Sequence, residues 1–295
     1  MTIEYRCSEC SALLPTALST ICTNCGRNFA PEKSLFEPKK TTYILDPNNP
    51  AWGSGSSLIF WLLSVSLILF AQVPAIATWM LWMKLSGQVI PSKPDIQQHP
   101  EIVVFSVIST FICQLITVAI SYRFVTRTSN GNFLSALGWY WPENFGLLKT
   151  IGLTFLVFIA FIGIASLLPS KESDMQRLIE SSMAARFSIA FVAVAGAPFV
   201  EELVYRGILY SGLCKDFGRN IAIIGVSILF LLVHVPQYWG AWGGILGIGF
   251  LSIVLTLVRA YSGSLLPSFI IHLIFNSIQV SLIIAEGLAH LPKKL

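Results

Sequence analysis

From Ser57 onward the chain alternates long apolar runs with short polar breaks, and each run sets a helix length. A membrane-spanning helix takes about 20 mostly apolar residues. Residues 57–83, 102–122 and 150–170 each supply one such run, and 102–122 carries no charge at all. Residues 186–215 supply a fourth, interrupted by polar positions. Residues 220–258 are 39 positions without a formal charge. That is about twice one crossing, and "PQYWGAWGG" near the middle supplies the break. Residues 264–285 complete seven candidates. The pattern predicts an all-α polytopic membrane protein of seven to eight transmembrane helices. Residues 171–186 mix charges with Met175, Leu178, Ile179 and Met183, which predicts an interfacial helix.

Before the first run the pattern changes character. "CSECSALLPTALSTICTNCG" holds Cys7, Cys10, Cys22 and Cys25, two C-x-x-C pairs with eleven residues between them. Two such knuckles place four thiolates around one zinc, and Gly26 suits the turn behind the second pair. Two disulfides or a redox pair are the competing readings. A segment this short, without a βαβ pattern, favours a structural zinc ribbon over 1–29. Its site is closed, so this zinc is assigned no catalysis, and metal binding supplies the folding energy that so few residues lack. Residues 30–56, rich in Pro, Asn, Gly and Ser, read as a linker carrying Lys39 and Lys40. The organisation expected is thus ribbon 1–29, linker 30–56, N-terminal transmembrane helices 57–140 and a helical core 141–290.

Composition sharpens this picture. Only 12% of the 295 residues are charged and 54% are hydrophobic, against about 25% charged in soluble domains. The mean hydropathy is +0.71. No cleavable secretory signal is evident in the polar start "MTIEYRCSEC". The net charge of +4 gives no argument for nucleic acid. Reduced thiolates imply a cytoplasmic N-terminus. The basic residues then fall inside at Arg123, Arg127, Lys149, Lys215, Arg219 and Arg259, and outside at Lys84, Lys93, Lys171, Arg177 and Arg186, a weak bias in the same direction.

Within the runs, Glu201 and Glu202 are the only carboxylates, and His234 and His272 also fall there. Each charge at a helix centre costs about 2.5–3.5 kcal/mol on insertion scales, so these groups must face a cavity or one another. Glu202 and Arg206 are four apart on one helix face and can pair. Glu201 is turned by about 100° and points elsewhere. Gly196 and Pro198 predict a break that puts both glutamates in the first turn of a new half-helix. Glu201, His234 and His272 lie 14, 15 and 13 residues from Lys215, Arg219 and Arg259, about 20 Å in from one side at 1.5 Å per residue. Asn276 lies four residues after His272 on the same face. Two chemistries fit. In one, Glu201 activates water beside His234 while His272 and Asn276 stabilise an oxyanion. In the other, Glu201, His234 and His272 ligate a catalytic zinc. Taken singly, each residue also fits a structural hydrogen bond between helices.

"EELVYR" (Glu201, Glu202, Arg206), "FLLVH" (Phe230, His234) and "HLIFN" (His272, Asn276) resemble, in order, the three motifs of the CPBP family, which includes the CAAX prenyl endopeptidases and bacterial Abi-type proteins. The resemblance covers about residues 145–285, roughly half the chain. It implies an all-α intramembrane endopeptidase acting on membrane-associated peptide or protein substrates. In it Glu201 and His234 would activate water, His272 and Asn276 would hold the oxyanion, and Glu202 and Arg206 would support them. Asn276, in the place of a third strong ligand, tips the choice towards a metal-free site.

Two other classes compete. A non-enzymatic adaptor or bacteriocin-immunity-type protein would use the ribbon to dock a protein partner. A transporter would use the carboxylates as an ion site, although no second glutamate-bearing segment suggests the repeat that such folds show. Cys113 reads as span packing, and Cys214 matches no motif.

Overall fold

The computed structural model describes residues 5–6, 10–14, 22, 24–26, 46–92, 95–96, 99–129, 132–168 and 171–289. Cys7, Lys39, Lys40 and the expected linker up to residue 45 lie outside the described residues. The chain divides into two compact units, Met1–Ile44 and Leu45–Leu295. In the first, β1 (Tyr5–Arg6) pairs antiparallel with β2 (Leu13–Leu14), with Tyr5 opposite Leu14 and Arg6 opposite Leu13.

The second unit is built of helices, as the apolar runs require. In chain order they are α1 (Ser54–Phe70), α2 (Gln72–Leu85), α3 (Glu101–Ser129), α4 (Phe133–Ala136), α5 (Leu147–Ala165), α6 (Asp174–Glu180), α7 (Met183–Ala195) and α8 (Ala197–Glu201). A π-helical segment, Glu202–Leu209, follows without interruption, and then come α9 (Tyr210–Phe217), α10 (Arg219–His234), α11 (Trp242–Ser262) and α12 (Leu266–Ala289). Six stretches are long and apolar enough to cross a membrane: Ser54–Leu85, Glu101–Ser129, Leu147–Ala165, Met183–Phe217, Trp242–Ser262 and Leu266–Ala289. The chain is a multi-pass integral membrane protein. Helix α10, the fifth of the seven expected runs, has 16 residues and is about 24 Å long, short of the ~30 Å hydrocarbon core. The turn of residues 235–241 ends it.

Large apolar side chains such as Ile59, Leu148, Leu156, Ile159 and Ile224 point outward, as a lipid-facing surface requires. Polar ones such as Thr117, Ser121, Thr150, Thr154, Ser252 and Thr256 are turned inward. Most of these hydroxyls return a hydrogen bond to their own helix, as Ser121 does to Thr117 O and Thr154 to Thr150 O. Helix α11 is the most enclosed span, packed against α5, α10 and α12. Gly243 at its start touches the Ala165 carbonyl of α5, and Gly247 lies against the ring of Phe161. Small residues let backbones approach in this way where lipid supplies no hydrophobic drive. Gly243→Ala is expected to destabilise the protein by about 1–3 kcal/mol through overpacking, seen as a lower melting temperature in detergent. Its neighbour Gly244, whose added Cβ would meet only the Ala241 Cβ at 3.9 Å, is the control. Equal melting of the two alanine variants would defeat this packing argument.

Three expectations change. The interfacial helix is confined to α6, Asp174–Glu180, because Ser182 accepts from Ala185 N and starts α7. Residues 46–53 are packed rather than trailing: Trp52 is buried and donates from Nε1 to Ile208 O at 3.1 Å, and Pro50 O accepts from Lys215 Nζ at 2.8 Å. Arg259, counted among the basic residues that flank the spans, sits in the last turn of α11 and is wholly buried.

Candidate active site

The chain breaks at Gly196 as expected. Gly196 ends α7, and a Cβ there would fall on the side-chain oxygen of Gln114 in α3. Pro198 then occupies the opening turn of α8, where its missing N–H costs nothing. The break comes too early to serve the glutamates, however. Glu201 is the fifth residue of α8, and Glu202 opens the π-helical segment. Both lie beyond the first turn, where the helix dipole has faded. Their charge is met by side chains instead.

Glu202 and Arg206 are both wholly buried, and Arg206 Nη1 donates to Glu202 Oε1 at 3.0 Å. The guanidinium is held on its other edges as well. Nη2 reaches Ser252 O at 3.1 Å and Ser252 Oγ at 3.0 Å, and Nε reaches Thr256 Oγ1 at 3.3 Å. Phe230 of α10 lies under its plane, 4.6 Å from the guanidinium carbon, a cation–π contact. Ser252 and Thr256 are four apart on α11, so their spacing on a buried face was the sequence signal for this cradle. Without a partner in view, that signal had no meaning.

The same Glu202 oxygen also meets His272 Nδ1 at 3.0 Å. A carboxylate on Nδ1 fixes the ring's orientation and puts a proton there. Nε2 is thereby directed at Glu201, whose Oε2 lies 3.7 Å away. That distance couples the two electrostatically but is too long for a hydrogen bond. Glu201 is the exposed member, its side chain 23% accessible against 4% for His272 and 0% for Glu202. A chain of polar groups thus runs from buried Arg206 through Glu202 and His272 to accessible Glu201.

Phe230 is the hub around which the other motifs gather. His234 stacks on it at 4.4 Å, His272 meets its edge at 6.3 Å and Tyr205 at 5.0 Å. His234 Nδ1 contacts Phe230 O at 2.8 Å, so Nδ1 carries the proton and Nε2 is left as the acceptor. Asn276 Nδ2 donates to Ala193 O at 2.9 Å, just before the Gly196 break. One of the two amide hydrogens of Asn276 is used in this way.

Among the described residues, one group of three or more Cys, His, Asp or Glu has its ligand atoms within 4.8 Å of one another: Cys10, Cys22 and Cys25. Glu201, His234 and His272 do not form such a group. The Cys10 and Cys22 sulfurs are 3.6 Å apart. Thiolates about 2.3 Å from a shared tetrahedral zinc stand about 3.8 Å apart, whereas a disulfide needs about 2.05 Å. The Cys10 thiol is lowered to about 6, first by its hydrogen bond with the Ala12 backbone and then by the Asn24 side chain. The donor set therefore fits a metal. Cys7, the fourth expected ligand, lies outside the described residues.

Neither a curated protein nor a solved structure matches the chain. Residues 183–278, which span all three motifs from α7 to α12, match the family model described as Type II CAAX prenyl endopeptidase Rce1-like, and the chain carries an Rce1-like domain there.

Proposed function

We propose that this protein is an intramembrane endopeptidase that hydrolyses peptide bonds of membrane-associated substrates at Glu201. The observation that carries the reading is the polar chain Arg206–Glu202–His272–Glu201, inside a domain whose family model is that of a CAAX prenyl endopeptidase. Glu201, the accessible end, takes a proton from water as the water oxygen adds to the carbonyl carbon, and returns that proton to the amine nitrogen as the C–N bond breaks. His234, with Nε2 as an acceptor, orients that water. His272 can hold the oxyanion of the tetrahedral intermediate only through a protonated Nε2, and with Nδ1 also protonated the ring is then a cation. Buried Glu202 faces that ring through Nδ1, and Arg206 holds Glu202 in place. Asn276 contributes its second amide hydrogen. No step calls for a metal at these four residues.

The test uses the purified full chain in proteoliposomes and a quenched-fluorescent peptide ending in a farnesylated CAAX box. Cleavage by wild type and none by Glu201→Ala supports the reading. Equal cleavage by both defeats it.

The first unit is a zinc ribbon in this proposal, with Cys7, Cys10, Cys22 and Cys25 as ligands and the N-terminus in the cytoplasm. The zinc would stabilise that unit's fold, which could then dock a protein partner or substrate. Purified protein is expected to hold about one zinc per chain, and the variant with all four cysteines changed to serine none. Stoichiometric zinc in that variant would mean a second site and would overturn the metal-free assignment at Glu201.

A further inference from the structure

Three consecutive carbonyls at the end of the π-helical segment are each met by a side chain. Arg259 Nε donates to Arg206 O at 3.2 Å, Ser211 Oγ to Gly207 O, and Trp52 Nε1 to Ile208 O at 3.1 Å. Helix register gives the reason for the first. Tyr210 N–H bonds Tyr205 O, five residues back, while the following helix returns to four, as Gly218 N to Cys214 O shows. Passing from five-back to four-back bonding skips one carbonyl, and after Tyr205 the next in line is that of Arg206. A skipped carbonyl in a membrane-buried helix needs a donor from elsewhere.

Arg259 supplies it from α11, and the rest of its guanidinium is gripped from the opposite side. Nη1 donates to Asn48 Oδ1 at 2.8 Å and Nη2 to Pro47 O at 3.0 Å, while the Tyr210 ring lies 5.2 Å from the guanidinium carbon. All three hydrogen bonds end on neutral oxygens. A wholly buried cation is costly, and arginine's rigid fork is the side chain that reaches three oxygens on two separate segments at once. The strap of residues 46–53 and the helix that bears the glutamates are therefore clamped together through one residue.

We propose that Arg259 is a positioning residue for the Glu202–Arg206 pair: it fills the carbonyl opened by the register change and, held by Pro47 and Asn48, fixes the backbone from which Arg206 reaches Glu202. The strap is thus part of the site's framework. The effect on catalysis rests on the endopeptidase reading above, but the register claim does not.

The test is amide hydrogen exchange on the full chain in nanodiscs, comparing wild type with Arg259→Gln, Arg259→Lys and Asn48→Ala. Arg259→Gln should speed exchange of amides 206–213 by about tenfold or more, with α5 and α12 within about twofold of wild type. Lysine, which keeps the charge and loses the fork, should fall between. Asn48→Ala, at the less buried end of the clamp, should act in the same direction more weakly and stays informative if the Arg259 variants fail to fold. With the farnesylated peptide as probe, kcat should fall by about tenfold or more in Arg259→Gln with KM within about twofold. Unchanged exchange over 206–213, or a rise spread evenly over all the helices, overturns the proposal. If wild type leaves the peptide intact while exchange behaves as stated, the endopeptidase reading fails and the positioning assignment stands.

Discussion

Glu201→Gln is expected to lower kcat/KM for the farnesylated peptide by about 10²–10⁴-fold, the range for losing a general base, with the fold intact. Glutamine keeps the length and shape of the side chain and can still approach His272, but its amide cannot accept the proton from water. The structural cost should be small. The Glu201 side chain is 23% accessible, and its 3.7 Å approach to His272 is too long to anchor the helix. Activity and melting temperature should therefore separate, the first collapsing and the second staying near wild type. Glu202→Gln should not separate them, because that residue is wholly buried and holds both Arg206 and His272. Initial rates in proteoliposomes, with the product identified by mass, decide the matter. A Glu201→Gln protein with a third or more of wild-type activity would remove Glu201 from the role of base.

Much of this arrangement was legible in the sequence because membrane insertion penalises charge so strongly. An apolar run that tolerates Glu201, Glu202 and Arg206 announces that they have partners, and the spacing of Glu202 and Arg206 names one pair. The second partner of Glu202, His272, lies 70 residues away and has no local signature. The π-helical segment was not legible either, since a change of register leaves no mark in composition. Residues 46–53 read as a linker because Pro and Asn disfavour helix, yet Trp52 and Pro47 are buried. Irregular backbone can dock as firmly as helix when side chains meet its carbonyls. Arg259 was counted among the basic residues on the inner side because its charge ends an apolar run. The same charge, drawn inward, became the bond between strap and site.

The largest loss of stability should come from Arg206→Met, at about 3–5 kcal/mol, because it leaves a buried carboxylate without its cation. Glu202→Gln should cost clearly less, and the asymmetry follows from the partners that remain. Without Glu202, the Arg206 guanidinium keeps Ser252 O, Ser252 Oγ, Thr256 Oγ1 and the face of Phe230. Without Arg206, the carboxylate keeps His272 Nδ1 on the same oxygen that the arginine had shared. The double variant Arg206→Met/Glu202→Gln should recover most of the loss, since a neutral pair of similar volume carries no uncompensated charge. It should remain inactive, because His272 Nδ1 then loses the carboxylate that orients the ring. Thermal unfolding in detergent of the two single variants and the double closes the cycle. If the double variant melts as low as Arg206→Met, the loss comes from packing around Phe230 rather than from the stranded charge of Glu202.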